Sequence, residues 1–523
     1  MSETHMPGRR LPFPVVSCSL LAFASAPVSA QIFSEAQTSP VNYLRAETPP
    51  SMSCLDVQNL QLADVIAIAA ETIPADGDVP EHCRVDGTIA PEITFQVNLP
   101  VAWNGRYYML GNGGPAGQHP DTQATGRAQA LRHGFVMGAT DTGHDSRAEP
   151  GYTFGTDRRK AIDYAYRAVH VTAVTAKAVA NAYYGEPVQY AYWNSCSNGG
   201  RQGMLEAQRY PEDFDGIIAN APWVDQTGFA IGATWNQQAV ANAGLTESKL
   251  SVLSESVLNK CDAIDGLEDG LIDDPRQCSI DVDQDVPLCA AGTDTGSCLT
   301  PAQADAVQRV YDGPTDSEGN PLMAGFMPGS EASWWGLLVP PAPDAVSADF
   351  GLAQGIIQYM ALQPSQPDWN YQSFDFDRDP ALLDTWSRLA DATDINLRDF
   401  RARGNKLIMT YGWSDQILQP MMGVEYYEQA VTANGPDGED FMRLFMVPGM
   451  THCAGGPGPD QFDSVSAIIN WVERGEAPDQ MIARQFEDGS VTRTRPLCPY
   501  PQTARYDGSG DPDDAASFSC QAP

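Results

Sequence analysis

The chain has 523 residues, with 31 Lys and Arg against 67 Asp and Glu, a formal net charge of −36. That length is enough for a large core and more than one domain. So acidic a surface repels phosphate backbones and disfavours anionic membranes, which argues against nucleic acid or a membrane as partner and says little more.

In chain order, the first element is an export signal. Arg9 and Arg10 precede an apolar run from Leu11 to about Ala26, and Val28-Ser29-Ala30 gives small residues before Gln31. This pattern predicts a signal peptide over 1–30, cleaved after Ala30. No later apolar run reaches the ~18–20 residues of a membrane span, so a soluble, secreted or periplasmic protein is expected. No Asn-x-Ser/Thr sequon occurs, which favours a bacterial source.

With Cys18 removed in the signal, ten cysteines remain, an even number that suits disulfides in an oxidising compartment. Proximity along the chain suggests Cys54–Cys83, Cys261–Cys278, Cys289–Cys298 and Cys498–Cys520. Cys196 and Cys453 are left without a near neighbour.

Short apolar runs then end in loops rich in Gly or Asp. RYYML (106–110) leads into GNGGPAG, GFVMGAT (134–140) into DTGHD, and VQYAYW (188–193) into NSCSNGGRQG. After a long interval, KLIMTY (406–411) leads into GWSDQ and FMRLFMV (441–447) into PGMTHC. These are too short for helices and read as buried strands. Residues 161–185 show apolar positions at three-to-four spacing and a closing Gly, which predicts a helix. Strands alternating with helices predict an α/β fold with a parallel sheet, whose functional residues collect at the carboxyl ends of strands. Residues 223–400 differ. They hold four of the ten cysteines, many Pro and Asp, and clustered aromatics including Trp334 and Trp335. They read as a lid domain inserted into a sheet domain formed by 31–222 and 401–523.

The loop after 188–193 carries the chemistry. A nucleophile elbow has the pattern G-x-S-x-G, with small flanking residues around a sharp strand-to-helix turn. Here the register is Ser195-Cys196-Ser197-Asn198-Gly199, so Ser197 is the nucleophile and Ser195 stands where the first Gly usually is. Cys196 as a free thiol nucleophile is the rival. A serine hydroxyl needs a base, and the base needs an orienting carboxylate. Of seven histidines only His452 follows Ser197, and Asp415 precedes it after another strand. The order Ser197, Asp415, His452 is the chain order of α/β-hydrolases. For the triad to form, Cys196 and Cys453 must approach each other. A disulfide between them would tie the nucleophile loop to the base loop, with about 5 kcal/mol from loop closure on the chain-entropy account. The oxyanion donors expected are the amide of Asn198 and that of Gly113 or Gly114. A binding protein on the same fold would need none of this order.

The pairs Cys196-Ser197 and His452-Cys453, with Asp415, resemble the tannase and feruloyl esterase family. TDTGHD (140–145), residues 199–223 and WVERGEAPDQMIA (471–483) are also similar to it. The resemblance covers nearly all of the mature chain. It implies an α/β-hydrolase fold with a lid, the five disulfides named above, and esters of aromatic acids as substrates. The family includes feruloyl esterases, tannases and bacterial mono(2-hydroxyethyl) terephthalate hydrolases. It also implies a structural Ca²⁺ in the lid and no organic cofactor. CDAIDGLEDGLIDDPRQC (261–278) matches the calcium loop, with carboxylates from Asp262, Asp265 and Asp269 and carbonyls from Leu267 and Leu271, a hard-oxygen set that suits the ion.

Between Tyr311 and Asp377 there is no Lys or Arg. A terephthalate monoester carries a free carboxylate and calls for a cation, whereas aromatics such as Trp334 and Trp335 suit a neutral phenolic ring. Feruloyl or other hydroxycinnamoyl esters, small or derived from plant polymer, are therefore the expected substrates. Galloyl esters are the nearest alternative.

Overall fold

A computed structural model describes residue 41 and residues 47–522, apart from 343, 344, 436 and 437. The signal predicted over 1–30 lies outside the described residues. Nine strands form one sheet: β1 (Val65–Ile73), β2 (His82–Ile89), β3 (Ile93–Pro100), β4 (Arg106–Leu110), β5 (Val136–Thr140), β6 (Tyr190–Cys196), β7 (Gly216–Asn220), β8 (Lys406–Gly412) and β9 (Met442–Val447). Their order is β1-β2-β3-β5-β4-β6-β7-β8-β9.

All five expected strands are present. The sheet is mixed, however, not wholly parallel. From β5 to β9 neighbours run parallel, while β1, β2, β3 and β5 pair antiparallel. The reason the first three strands escaped notice is physical. Parallel strands covered on both faces read as continuous apolar runs, whereas an antiparallel edge alternates. β1 is largely exposed and β2, HCRVDGTI, alternates polar with apolar.

Eight helices matter for the site and its surroundings: α1 (Ala124–Arg132), α2 (Ala168–Tyr184), α3 (Asn198–Arg209), α4 (Gln226–Val240), α5 (Glu247–Cys261), α6 (Pro301–Asp312), α7 (Pro420–Ala433) and α8 (Ser464–Arg474). The helix expected over 161–185 is not continuous. A short helix, Arg158–Ile162, passes into a π-helical turn, Asp163–Arg167, before α2 begins. Such a turn inserts a residue and re-aims the side chains around it.

Among the described residues, the chain between β7 and β8 adds no strand to the central sheet. From Val240 to Val339 this segment has its own core, built from Leu253, Val257, Leu299, Val307, Phe326 and Trp334 among others. Residues on either side, including Phe229, Phe350, Ile356 and Trp386, pack instead into the main core with β3 and α2.

The two roots of the inserted segment are joined. The Ala392 amide donates to Val224 O at 2.7 Å. The amides of Gln226 and Thr227 donate to Asp391 Oδ1 at 2.9 and 3.2 Å, and the Thr227 hydroxyl donates to Asp391 Oδ2 at 2.5 Å. Burial, and then the charge of Asp225 beside it, pushes the Asp391 carboxyl from 3.8 up to about 7. A raised folded-state value means that this group's contribution is complete below its unfolded value and is lost as pH rises through about 7. Asp391→Asn mimics the protonated acid. Its melting temperature is expected to fall less than the wild type's between about pH 5 and pH 8. Equal slopes in a thermal-unfolding series across that window would count against the assignment.

Candidate active site

Strand β6 ends at Cys196 and α3 begins at Asn198, so Ser197 alone makes the turn. Its backbone sits at φ 63, ψ −126, a left-handed conformation that is costly for any residue with a side chain. Three hydrogen bonds hold it there. The Ser197 amide donates to Asn220 O at 3.0 Å, and Ser197 O accepts from the Trp223 amide at 3.1 Å and from the Arg201 amide at 3.0 Å.

The three side chains in the stretch now separate. Ser195 is still in the sheet, opposite Ala219 of β7. Its hydroxyl lies where a Cβ on Gly199 would be, so the unusual serine at 195 is accommodated because residue 199 has no side chain. Cys196 is bonded to Cys453, with Cα atoms 5.9 Å apart, and is no free thiol. Ser197 remains at the tip.

Asp415 follows β8 and is fully buried. Its Oδ1 accepts from the amides of Ile417 and Leu418, both at 2.9 Å, and its Oδ2 lies 2.8 Å from His452 Nδ1. The next residue, Gln416, accepts the His452 amide on its side-chain oxygen at 3.1 Å. One loop thus orients both the ring and the backbone of the histidine. With Nδ1–H given to the carboxylate, Nε2 is the acceptor. Ser197 and His452 each adjoin one end of the Cys196–Cys453 bridge, which brings their two loops together across 257 residues. The other four disulfides pair as expected: Cys54–Cys83, Cys261–Cys278, Cys289–Cys298 and Cys498–Cys520.

The GNGG loop leaves β4 beside this elbow. The Asn112 amide donates to Gln202 Oε1 at 3.0 Å, and Asn198 Nδ2 donates to Asn112 O at 3.0 Å. Asn112 Nδ2 reaches Thr140 O at 3.0 Å, which fastens the loop to β5 as well. Among the described residues, neither the Gly113 nor the Gly114 amide donates to a protein acceptor. The Asn198 amide opens α3, where the first amides lack intrahelical partners and the helix dipole favours an anion. Asn112, Gln202 and Tyr164, whose hydroxyl reaches both Asn198 and Gly114, escaped the motif reading. Nothing in their spacing marks them, and only contact across the fold does.

The acidic loop has the donors that calcium takes, with some already engaged. Asp262 accepts the amides of Asp269 and Gly270, Asp265 accepts that of Leu267, and Asp269 accepts that of Leu271. Asp269 is also paired with Arg495. The ligand oxygens of these three carboxylates do not all come within 4.8 Å of one another. They are nonetheless crowded. Burial raises Asp265, with Asp269 and Asp262 adding to it, and burial with Asp265 and Asp269 pushes Asp273 up to about 7. A hard divalent cation fits such a set because it relieves that repulsion.

Trp334 does not line a substrate surface, contrary to the expectation from sequence. It is wholly buried in the core of the inserted segment, with its indole N–H on Ser330 Oγ at 2.9 Å and Tyr311 and Phe326 packed around it. It presents no face to a substrate. Trp335 is partly buried against the same core. The aromatic pair that suggested a ring-binding surface is mostly the packing of the lid itself.

A family model described as Tannase and feruloyl esterase matches residues 77–521. The mono(2-hydroxyethyl) terephthalate hydrolase of Piscinibacter sakaiensis is 35% identical, over 88% of this chain and 89% of that protein. A probable feruloyl esterase of Arthroderma benhamiae is 30% identical, over 82% of each chain. The crystal structure of feruloyl esterase B from Aspergillus oryzae superposes with a TM-score of 0.77 at 26% identity, covering 90% of this chain and 99% of that one. With an α/β-hydrolase sheet, a serine at its elbow and a histidine bridged to that elbow through neighbouring cysteines, the chain is a carboxylic ester hydrolase and belongs to the tannase and feruloyl esterase family.

Proposed function

We propose that this chain is an exported esterase acting on esters of aromatic acids, feruloyl or other hydroxycinnamoyl esters foremost. Ser197, His452 and Asp415 form its triad. The observation that supports the reading is the Cys196–Cys453 bridge, which joins the residue before the strained Ser197 to the residue after the Asp415-oriented His452. In the first step His452 Nε2 takes the Ser197 proton while Ser197 Oγ bonds to the ester carbonyl carbon. The amides of Asn198 and of Gly113 or Gly114 hold the oxyanion that develops. The carbon–oxygen bond to the alcohol then breaks, and the alcohol leaves with the proton from His452. Water, deprotonated by the same histidine, splits the acyl-enzyme and restores Ser197.

Five disulfides and the basic, apolar N-terminus support export. Among the described residues, no helix is long and apolar enough to cross a membrane. The preference for a neutral phenolic acid rests on the stretch between Tyr311 and Asp377, which has no Lys or Arg. The similarity to a terephthalate monoester hydrolase favours a second reading, in which a cation from elsewhere receives a carboxylate. Calcium is proposed as a structural ion of the lid, held by Asp262, Asp265 and Asp269 with the carbonyls of Leu267 and Leu271. It takes no part in the chemistry.

Ser197→Ala is expected to abolish hydrolysis of p-nitrophenyl acetate with an unchanged melting curve, and full turnover would overturn the triad. Gly199→Ala should cost about 1–3 kcal/mol of stability through overpacking, and Ser195→Gly in the same chain should recover most of it. No recovery would show that the clash lies elsewhere. Side-by-side rates on methyl ferulate, methyl gallate and a terephthalate monoester should rank ferulate first, and a faster monoester would reverse the choice of acid. A chelator should lower the melting temperature and added Ca²⁺ restore it, with Asp265→Asn insensitive to both. Identical melting with and without chelator would remove calcium from the account.

A further inference from the structure

We propose that Tyr164 is a positioning residue for both sides of the oxyanion hole, and that through Gln226 it couples the hole to the root of the inserted segment. The inference rests on the reading of Ser197 as nucleophile with oxyanion donors from Asn198 and the Gly113-Gly114 loop.

Tyr164 lies in the π-helical turn Asp163–Arg167, which interrupts the helix and turns this side chain into the core, where it is 1% exposed. Its hydroxyl is 3.2 Å from Gly114 O and 3.1 Å from Asn198 Oδ1, and it accepts from Gln226 Nε2 at 2.9 Å. A phenol has one proton to donate and lone pairs to accept with. The Gln226 amide takes up accepting capacity, and the Tyr152 hydroxyl at 3.5 Å can donate to the remaining lone pair, so the proton serves the side where Gly114 and Asn198 converge. Gly114, at φ 53 and with no side chain to fix it, gains a restraint on its carbonyl. Asn198 is restrained from two directions, because its Oδ1 also accepts from Arg201 Nε at 2.7 Å and its Nδ2 holds Asn112 O. The Arg201 guanidinium lies 5.0 Å from the centre of the Tyr164 ring, and Trp386 stacks on that ring. One hydroxyl therefore touches the residues that bear both sets of oxyanion donors.

Gln226 makes this more than local packing. It is the first residue of α4, and Asp391 at the other root holds its backbone amide. A shift of the insertion relative to the sheet would move Gln226, and with it the partner of the Tyr164 hydroxyl. Oxyanion geometry is worth most when donors are held before reaction begins. The inserted segment thus contributes to the chemistry through a hydrogen bond at its base as well as through any surface it offers a substrate.

Tyr164→Phe removes the hydroxyl and keeps the ring. The measurements are kcat and KM on p-nitrophenyl acetate, affinity for a phenylboronic acid that forms a tetrahedral adduct at Ser197, and the melting temperature. Losing an oxyanion donor outright costs roughly 100- to 1,000-fold in kcat. Misplacing the donors is expected to cost about tenfold, with KM within about twofold and boronate affinity weakened by the same factor as kcat. Gln226→Met should show the same pattern, and the double variant should be no worse than Tyr164→Phe alone, since both act through one contact. Unchanged kcat, a kcat loss with unaltered boronate affinity, or losses that multiply in the double variant would each overturn the proposal. Should Tyr164→Phe fail to fold, Gln226→Met decides by the same criteria. Failure of the underlying triad would look different, because Ser197→Ala would then retain turnover or the wild type would not bind the boronate.

Discussion

The proposed triad is built on a covalent constraint between two loops that are remote in sequence. Ser197 stands at the end of β6 and His452 on the loop after β9, and the bridge between Cys196 and Cys453 joins the residues beside them. A serine–histidine contact tolerates little error, and loops at the edge of a sheet are the most mobile part of such a fold. Cross-linking them where they must meet removes much of that freedom at the point of use. Loop-closure entropy adds a stability term of about 5 kcal/mol on the chain-entropy account.

Around this bridge the remaining parts set angles. The parallel strands β4, β6, β8 and β9 deliver the glycine loop, the serine, the aspartate and the histidine to one end of the sheet. Hydrogen bonds among those loops then hold them at fixed orientation: Asn112 to Gln202, Asn198 to Asn112, and His452 to both Asp415 and Gln416. The inserted segment is part of the same construction. Its flanks share the main core, and Asp391 at one root holds the amides of Gln226 and Thr227 at the other.

Much of the candidate site could be read along the chain because the chemistry proposed for it leaves local marks. A serine between a strand and a glycine-rich helix start, one histidine downstream of it, and cysteines adjoining both are patterns of adjacency. The fold was legible to the extent that parallel strands are continuous apolar runs. It was illegible where that signature lapses, as in β1, β2 and β3. Trp334 shows the converse limit. An aromatic pair looks the same whether it lines a pocket or fills a core, and the packing of Tyr311 and Phe326 around Trp334 is what tells them apart.

The sequence by itself pointed to Ser197, Asp415 and His452 in that order, to four disulfide pairs by proximity, and to the alternation of strand and helix, because each is written in residues near one another or in counts that leave few choices. Tertiary structure alone decided what holds those residues to their angles. The π-helical turn that points Tyr164 inward, the sharing of its hydroxyl by Gly114, Asn198 and Gln226, and the accommodation of Ser195 by Gly199 arise from elements that meet only when the chain is packed. Hydrogen bonds and steric fit act over a few ångströms in space, whatever the distance along the chain, and so leave no periodicity or motif from which to infer them.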